Sequence, residues 1–388
     1  MYEIKFREKV EMYRSTLCYL RNGGKTLMMH RTKKENDVNK GKWIGVGGKF
    51  EDGETAGECL IREVKEETGT ELHSFIFHGI IYFRNDEFED EEMYLYSAHI
   101  TDKQAEAIDR NDSCPEGELR FIPDEDIMSL NLWDGDRIFL GELMNNNIRI
   151  SYDLTYEHGK LVKCEKVPIR NIFFDLDGTL IDTGEGIMKC AAHSLKAIGV
   201  EVDDWRELSF FVGPPLVYTY THRYGVDMDK ARELVKIYRE RYNPIGVYEC
   251  TPYPGVRECL ETLKNKGYKL YVASSKPENM CRLLMEHFDL ADYFDDIAGS
   301  TPDGRIDTKT QVLTELFRRG SADDPSFIGE SVLIGDTRFD IEGAVNTGIS
   351  SLGVSFGYGD TNEMINLGAS TIVDSMEEIT DSLFKSLG

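Results

Sequence analysis

The sequence predicts an α/β protein of two domains, the second of them a doubly wound parallel sheet. Three observations carry this. At 388 residues the chain exceeds what one ordinary core accommodates. Near Lys166–Pro168 the patterning changes to short apolar strands alternating with helices. A helical stretch from about Glu185 to Tyr248 then separates the first two of those strands, too long for a single crossover. Domains are therefore expected at residues 1–165 and 169–388, with a helical cap over about 185–250.

The elements follow in order. Residues 12–30 read as two strands around the turn Asn22-Gly23-Gly24. The polar, aperiodic stretch Lys33–Lys42 reads as a loop. Thr55–Thr68 is a helix that Gly69 stops. Strands follow near His73–Arg84 and Met93–Ile100, with the acidic run Asn85–Glu92 as a solvated loop between them. Asp134–Asn145 is helical, and Ile148–Cys164 closes the domain as a hairpin. Beyond it, Ile169–Phe174, Tyr268–Ala273, Ser331–Ile334 and Ser350–Val354 have the composition of buried parallel strands.

Composition narrows the function. No apolar run is long enough to span a bilayer, and the charged start Met1–Val10 lacks a signal-peptide core, so a cytoplasmic protein without a membrane partner is expected. The eight cysteines form no CxxC pair and read as reduced thiols. A net charge of −25 argues against a nucleic-acid polymer as partner. It suits small phosphorylated substrates held through cations. The first fifty residues are locally basic, with 12 Lys+Arg against 5 Asp+Glu, and run into a dense acidic segment. That layout fits a polyphosphate gripped beside its metals.

The first chemical constellation runs from Gly48 to Gly69. Glu63, Glu66 and Glu67 stand at i, i+3 and i+4 and are expected on one helix face, with Ala56, Cys59, Leu60 and Val64 on another. Three crowded carboxylates call for a hard cation, magnesium or manganese. The full spacing is Gly48, five residues, Glu54, seven residues, Arg62-Glu63, aliphatic Val64, Lys65, Glu66-Glu67, Thr68 and Gly69. It resembles the Nudix box, departing only at Thr70, where an aliphatic is usual. The resemblance covers about residues 10–165 and implies an α/β/α sandwich with a mixed sheet. It implies that Glu63, Glu66, Glu67 and the Gly48 carbonyl ligate metal. Glu67 has a catalytic part, and Glu54 and Arg62 brace the loop. It places a further ligand or base at Glu118, with Glu116 as the near alternative. Arg31 and Lys49 are candidate phosphate holders.

Lys42–Lys49, together with Leu132-Trp133-Asp134-Gly135-Asp136, resembles the subgroup that hydrolyses oxidised purine nucleoside triphosphates. By that resemblance Trp133 stacks on a purine and Asp134 or Asp136 reads its edge. Ile44 departs from the Asn usual after the first Trp.

The second constellation is Ile172–Leu180, an apolar strand ending in Asp175 and Asp177, which share a face in extended backbone. Such a strand end is where ligands bind in parallel sheets. The stretch resembles the DxDGT motif of the haloacid dehalogenase (HAD) superfamily. Ser274 matches its second motif, with Ser275 the poorer alternative. Lys309 matches the motif lysine, with Lys276 competing, and Asp336 and Asp340 match the acidic motif. The resemblance covers about residues 169–388. It implies a helical cap, an aspartyl-phosphate on Asp175 and acid/base work by Asp177. Magnesium is then held by Asp175, the Asp177 carbonyl and Asp336, with Thr179 and Asp340 supporting, and the phosphoryl group by Ser274 and Lys309. Within the superfamily, the cap and Phe211–Pro215 look like the phosphoglycolate-phosphatase-like group, and Gly213 is expected to face the site.

The leading functional expectation is sequential hydrolysis. The Nudix half cuts a nucleoside triphosphate, with 8-oxo-dGTP a candidate, to monophosphate and pyrophosphate. The HAD half then removes the remaining phosphate. Two alternatives stand beside it: unlinked activities, on ADP-ribose or a similar derivative and on phosphoglycolate or a sugar phosphate, and a nucleotide-sensing Nudix half that regulates the phosphatase.

Overall fold

A computed structural model describes residues 12–33, 37–109, 114–144, 149–320 and 326–385. The reading of Met1–Val10, and the stretch ends expected at Asn145 and Ile148, lie outside the described residues. The chain divides into two compact units, Met1–Pro168 and Ile169–Gly388. Among the described residues no helix is long and apolar enough to cross a membrane.

The first unit is built on strands β1 (Tyr13–Asn22), β2 (Lys25–Arg31), β3 (Trp43–Ile44), β4 (Ile76–Asn85), β5 (Glu91–His99), β6 (Gly117–Pro123), β7 (Tyr152–Glu157) and β8 (Lys160–Lys166). The sheet order is β3-β2-β1-β5-β4-β7-β8, with β6 also on β2. It is mixed: β1 lies parallel to β5 and β4 to β7, while the other pairs are antiparallel. The predicted turn joins β1 to β2, and Gly23 and Gly24 both take positive φ, as a two-residue hairpin requires. The helix Ala56–Thr68 starts at a Thr55–Glu58 capping box and ends on left-handed Gly69. One expectation shifts: β5 begins at Glu91, so the last two residues of the acidic run belong to a strand. Backbone pairing with Tyr13 and Arg14 of β1 decides this against side-chain polarity.

The second unit holds β9 (Asn171–Phe174), β10 (Ile181–Asp182), β11 (Thr251–Pro252), β12 (Lys269–Pro277), β13 (Asp296–Ser300), β14 (Ser331–Gly335), β15 (Ser350–Val354) and β16 (Thr371–Val373). Six of them form a parallel sheet ordered β13-β12-β9-β14-β15-β16. Both faces are covered, so successive residues of β9 enter different cores. Ile172 and Phe174 pack with Leu270 and Ile334, and Phe173 packs with Tyr271 and Leu333. The chain leaves β9 toward β12 on one side and returns to β14 on the other, which makes the end of β9 a topological switch point. The helices Gly184–Leu195, Leu216–Tyr224 and Met228–Tyr242 are inserted between β10 and β11. Those two short strands pair and close the base of the insertion.

Candidate active sites

In the first unit, the helix Ala56–Thr68 buries Cys59, Leu60 and Val64. Its three box glutamates do not share one environment. Glu67 lies at the edge of the packed face, 5% exposed, and its Oε2 accepts the Gly47 N–H at 2.9 Å. Glu63 accepts from Arg62 at 2.7 Å, while Glu66 is exposed and 3.5 Å from the same guanidinium. Glu63 and Glu66 thus share one guanidinium, and Glu67 turns to a backbone N–H. Arg62 also grips both oxygens of Glu54, at 2.7 and 2.8 Å, and holds that carboxyl down at about 2. Its Nη2 reaches the Lys49 carbonyl at 3.1 Å, so one side chain fastens the loop to the helix. Gly48 lies tight against the helix: a Cβ there would meet the Glu63 carboxylate at 2.5 Å and oblige that side chain to move. The crowding expected of Glu63, Glu66 and Glu67 is not what the structure shows: among the described residues the three carboxylates do not come within mutual ligand distance, and the Gly48 carbonyl accepts the Thr16 N–H at 2.9 Å.

A cavity of about 510 Å³ opens from Gly48 and Glu63 toward Trp133, Tyr156, Phe83 and Asp136. Trp133 donates its indole N–H to Asn39 at 2.8 Å and meets Tyr156 edge-on. Ile44 gives the wall an apolar surface where an amide was expected. Asp136 is 4% exposed, and no described residue hydrogen-bonds its carboxyl. Burial, then the charge of Glu91, pushes it up to about 8. A carboxyl whose folded pKa lies above its unfolded value stabilises the fold below the unfolded pKa, near 4. That contribution is lost as pH rises through about 8. Asp136→Asn is therefore expected to melt several degrees above the parent protein at pH 9 and with little difference at pH 4, read by thermal denaturation across pH.

Other expected residues are placed as follows. Asp134 is the first residue of the helix Asp134–Met144, exposed and outside the cavity lining. Lys49 lines the cavity with its ammonium over the Tyr13 ring at 3.7 Å. Arg31 lines it too, but its guanidinium is engaged by Asp37 at 2.7 Å and by Glu116. Glu118 is not brought to this cavity: it stands opposite His30 in the β6–β2 register and pairs with Arg120 at 2.6 Å. It lines a separate concavity, whereas Glu116, on the bend before β6, lines the main one. Tyr156 and Phe83 carried no sequence signal, because strands distant in the chain bring them to the wall.

In the second unit, Asp175 follows β9 directly, and its N–H still bonds the Ile334 carbonyl at 2.8 Å. Gly178, at φ 86°, lets the chain turn away; a Cβ there would meet the Asp336 carboxylate at 2.2 Å. Asp175, Asp336 and Asp340 converge, with one oxygen of each within 4.8 Å of the others. Lys309 is ion-paired with Asp175 and with Asp340, each at 2.7 Å, and donates a hydrogen bond to the Ala273 carbonyl at 2.7 Å. Burial opposes its charge, but the two carboxylates outweigh that and raise its pKa. Asp340 also closes a capping box on the helix Arg338–Thr347, accepting from the Thr337 N–H and hydroxyl at 2.9 and 2.8 Å. Asp336 accepts the Tyr358 N–H at 2.8 Å and the Thr179 hydroxyl at 3.4 Å.

Three buried carboxylates against one ammonium leave excess negative charge. Burial first, then Asp340, pushes Asp336 well above the carboxylate range, and burial raises Asp175 to about 7. A divalent cation fits this set of oxygens. Ser274 is buried at the same strand end, and its hydroxyl accepts the Lys276 N–H at 3.3 Å. Lys276 does not join Lys309: its ammonium pairs with Asp177 at 2.8 Å. Gly213, from the insertion, lies against Thr337.

These two sites define the class of protein, a two-domain phosphate hydrolase. Residues 12–143 match the family model of the NUDIX domain, and residues 172–354 match that of the haloacid dehalogenase-like hydrolases. The chain is 38% identical over 195 residues to the 5'-nucleotidase of Pseudomonas aeruginosa, covering 50% of this chain and 86% of that protein. It is 33% identical over 199 residues to the phosphoglycolate phosphatase of Aquifex aeolicus, covering 51% and 90%. A crystal structure described as a predicted phosphatase from Clostridium acetobutylicum superposes with a TM-score of 0.54 at 36% identity, covering 56% of this chain and 99% of that one. The chain belongs to the haloacid dehalogenase-like hydrolase family and carries a NUDIX domain ahead of that region. Both families generally depend on a divalent metal.

Proposed function

We propose that the two units act in sequence on one nucleotide. The first cuts a purine nucleoside triphosphate, with 8-oxo-dGTP the leading candidate, to monophosphate and pyrophosphate; the second releases the last phosphate. The observation that carries this is the cavity in the first unit. Its volume of about 510 Å³ suits a nucleotide. It has carboxylates at one end and, at the other, an aromatic wall with a buried carboxyl that is neutral at pH 7. A neutral carboxyl both donates and accepts, which suits the edge of an oxidised purine. The likeness to a 5'-nucleotidase supports a nucleoside monophosphate as the second substrate.

In the first unit, Glu63, Glu66, Glu67 and the Gly48 carbonyl would hold magnesium or manganese, with Glu116 taking the place expected of Glu118. Glu67 accepts the proton of the attacking water as a phosphorus–oxygen bond of the triphosphate breaks and its electron pair leaves with pyrophosphate. In the second unit, Asp175, the Asp177 carbonyl and Asp336 would hold the magnesium, steadied by Thr179 and Asp340. When bound, the cation supplies positive charge to the phosphoryl oxygens. An Asp175 oxygen attacks phosphorus while Asp177 protonates the leaving oxygen. Asp177 then accepts a proton from water as phosphate departs. Lys309 and the Ser274 hydroxyl orient the phosphoryl group. The chemistry is that of a cytoplasmic nucleotide-processing enzyme.

Product analysis with 8-oxo-dGTP, ordinary dNTPs, ADP-ribose and phosphoglycolate tests this. The wild type is expected to carry a dNTP through to nucleoside. Failure of the second unit to accept any monophosphate made by the first would sink the sequential reading.

A further inference from the structure

Among its described residues the second unit buries two lysines, Lys276 and Lys309, and the chemistry above uses one of them. Lys276, 8% exposed, lies near the end of β12, two residues after Ser274. Its Nζ donates to both oxygens of Asp177, at 2.8 and 3.0 Å. Among the described residues, the Asp177 side chain has no other hydrogen-bond partner. The same ammonium lies 5.1 Å from the centroid of the Tyr242 ring, at the end of the inserted helix Met228–Tyr242. The backbone of Lys276 is held in place. Its carbonyl accepts the Cys281 thiol at 3.6 Å, and a Cβ on Gly299 would meet that carbonyl at 2.3 Å. Lys309 does not pair with Asp177: its ammonium lies against Asp175 and Asp340 and donates to the Ala273 carbonyl. Asp177 itself sits buried on the turn after β9, and an aspartate has three staggered χ1 wells in general. The two-point pair selects one.

We propose that Lys276 is the positioning residue for Asp177. It sets that carboxyl beside the leaving-group oxygen and ties the placement to the seating of the inserted helix on the sheet. The inference rests on the reading of Asp177 as proton donor. In the first step a bond forms between an Asp175 oxygen and phosphorus, and the bond from phosphorus to the leaving oxygen breaks. The electron pair stays on that oxygen, which takes its proton from Asp177. Misplacing Asp177 therefore slows the reaction only where the leaving oxygen needs the proton. A nucleoside alkoxide needs it; p-nitrophenolate does not.

The test compares kcat/KM, which runs only as far as the aspartyl-phosphate, for a nucleoside 5'-monophosphate and for p-nitrophenyl phosphate. Lys276→Met is expected to lose about 100-fold on the nucleotide, in line with removal of general-acid help, and less than about threefold on the aryl ester. Lys276→Arg, which keeps a charged donor able to grip a carboxylate, is expected to show the same split at about a tenth of the size. If Lys276→Met does not fold, the arginine variant decides. Equal losses on both esters, or a raised KM at unchanged kcat, would overturn the proposal. Asp177→Asn run alongside separates the failures. No split there means that the proton-donor reading has failed; a split there but in neither Lys276 variant means that the inference about Lys276 has failed.

Discussion

Asp175→Asn is expected to abolish phosphomonoester hydrolysis, with a loss of at least about 10⁴-fold, as removal of a covalent nucleophile produces. Hydrolysis of the triphosphate by the first unit should stay within about twofold of wild type, since the two sites lie in separate compact units. A dNTP should then accumulate as the monophosphate. Rapid quench with labelled substrate should trap a phosphorylated chain in the wild type and none in the variant. The geometry behind this is specific. Asp175 directly follows the strand β9 of a parallel sheet, at its switch point, with Lys309 at 2.7 Å. An amide at that position keeps the size of the side chain and removes the attacking oxygen anion. A variant that still hydrolyses monophosphates would remove Asp175 as nucleophile.

Glu67→Gln is expected to lower triphosphate hydrolysis about 10³-fold, within the range for loss of general-base help. Phosphomonoester hydrolysis should be unchanged. An amide oxygen can still accept the Gly47 N–H that Glu67 holds at 2.9 Å, while the charge goes. Glu66→Gln, at the exposed position, should cost less than Glu67→Gln, because its carboxylate is more screened by solvent. Unchanged pyrophosphate release in Glu67→Gln would favour a first unit that senses nucleotide without turning it over.

Much of both sites was legible along the chain, and for an identifiable reason. Helix and strand periods convert spacing into faces. The run Gly48–Gly69 therefore predicted a capped helix carrying carboxylates, and Asp175 and Asp177 after an apolar run predicted a strand-end site. What the sequence left open were the partners. Glu118 and Glu116 are equivalent in sequence, and only the pairing of β6 with β2 separates them. Lys276 and Lys309 competed for one role; the fold gives Lys309 to Asp175 and Asp340, and Lys276 to Asp177. Asp134 and Asp136 offered the same chemistry, but only Asp136 lies inside the cavity, where burial pushes it up to about 8.

By itself the sequence determined the two families and the order of their motifs, because these depend on local periodicity and on short spacings. Tertiary structure alone decided which lysine meets which aspartate and which glutamate faces the cavity. It also decided which carboxyl is stripped of water. Those are long-range facts: each depends on strands or loops far apart in the chain being brought within a few ångströms, and on the burial that follows.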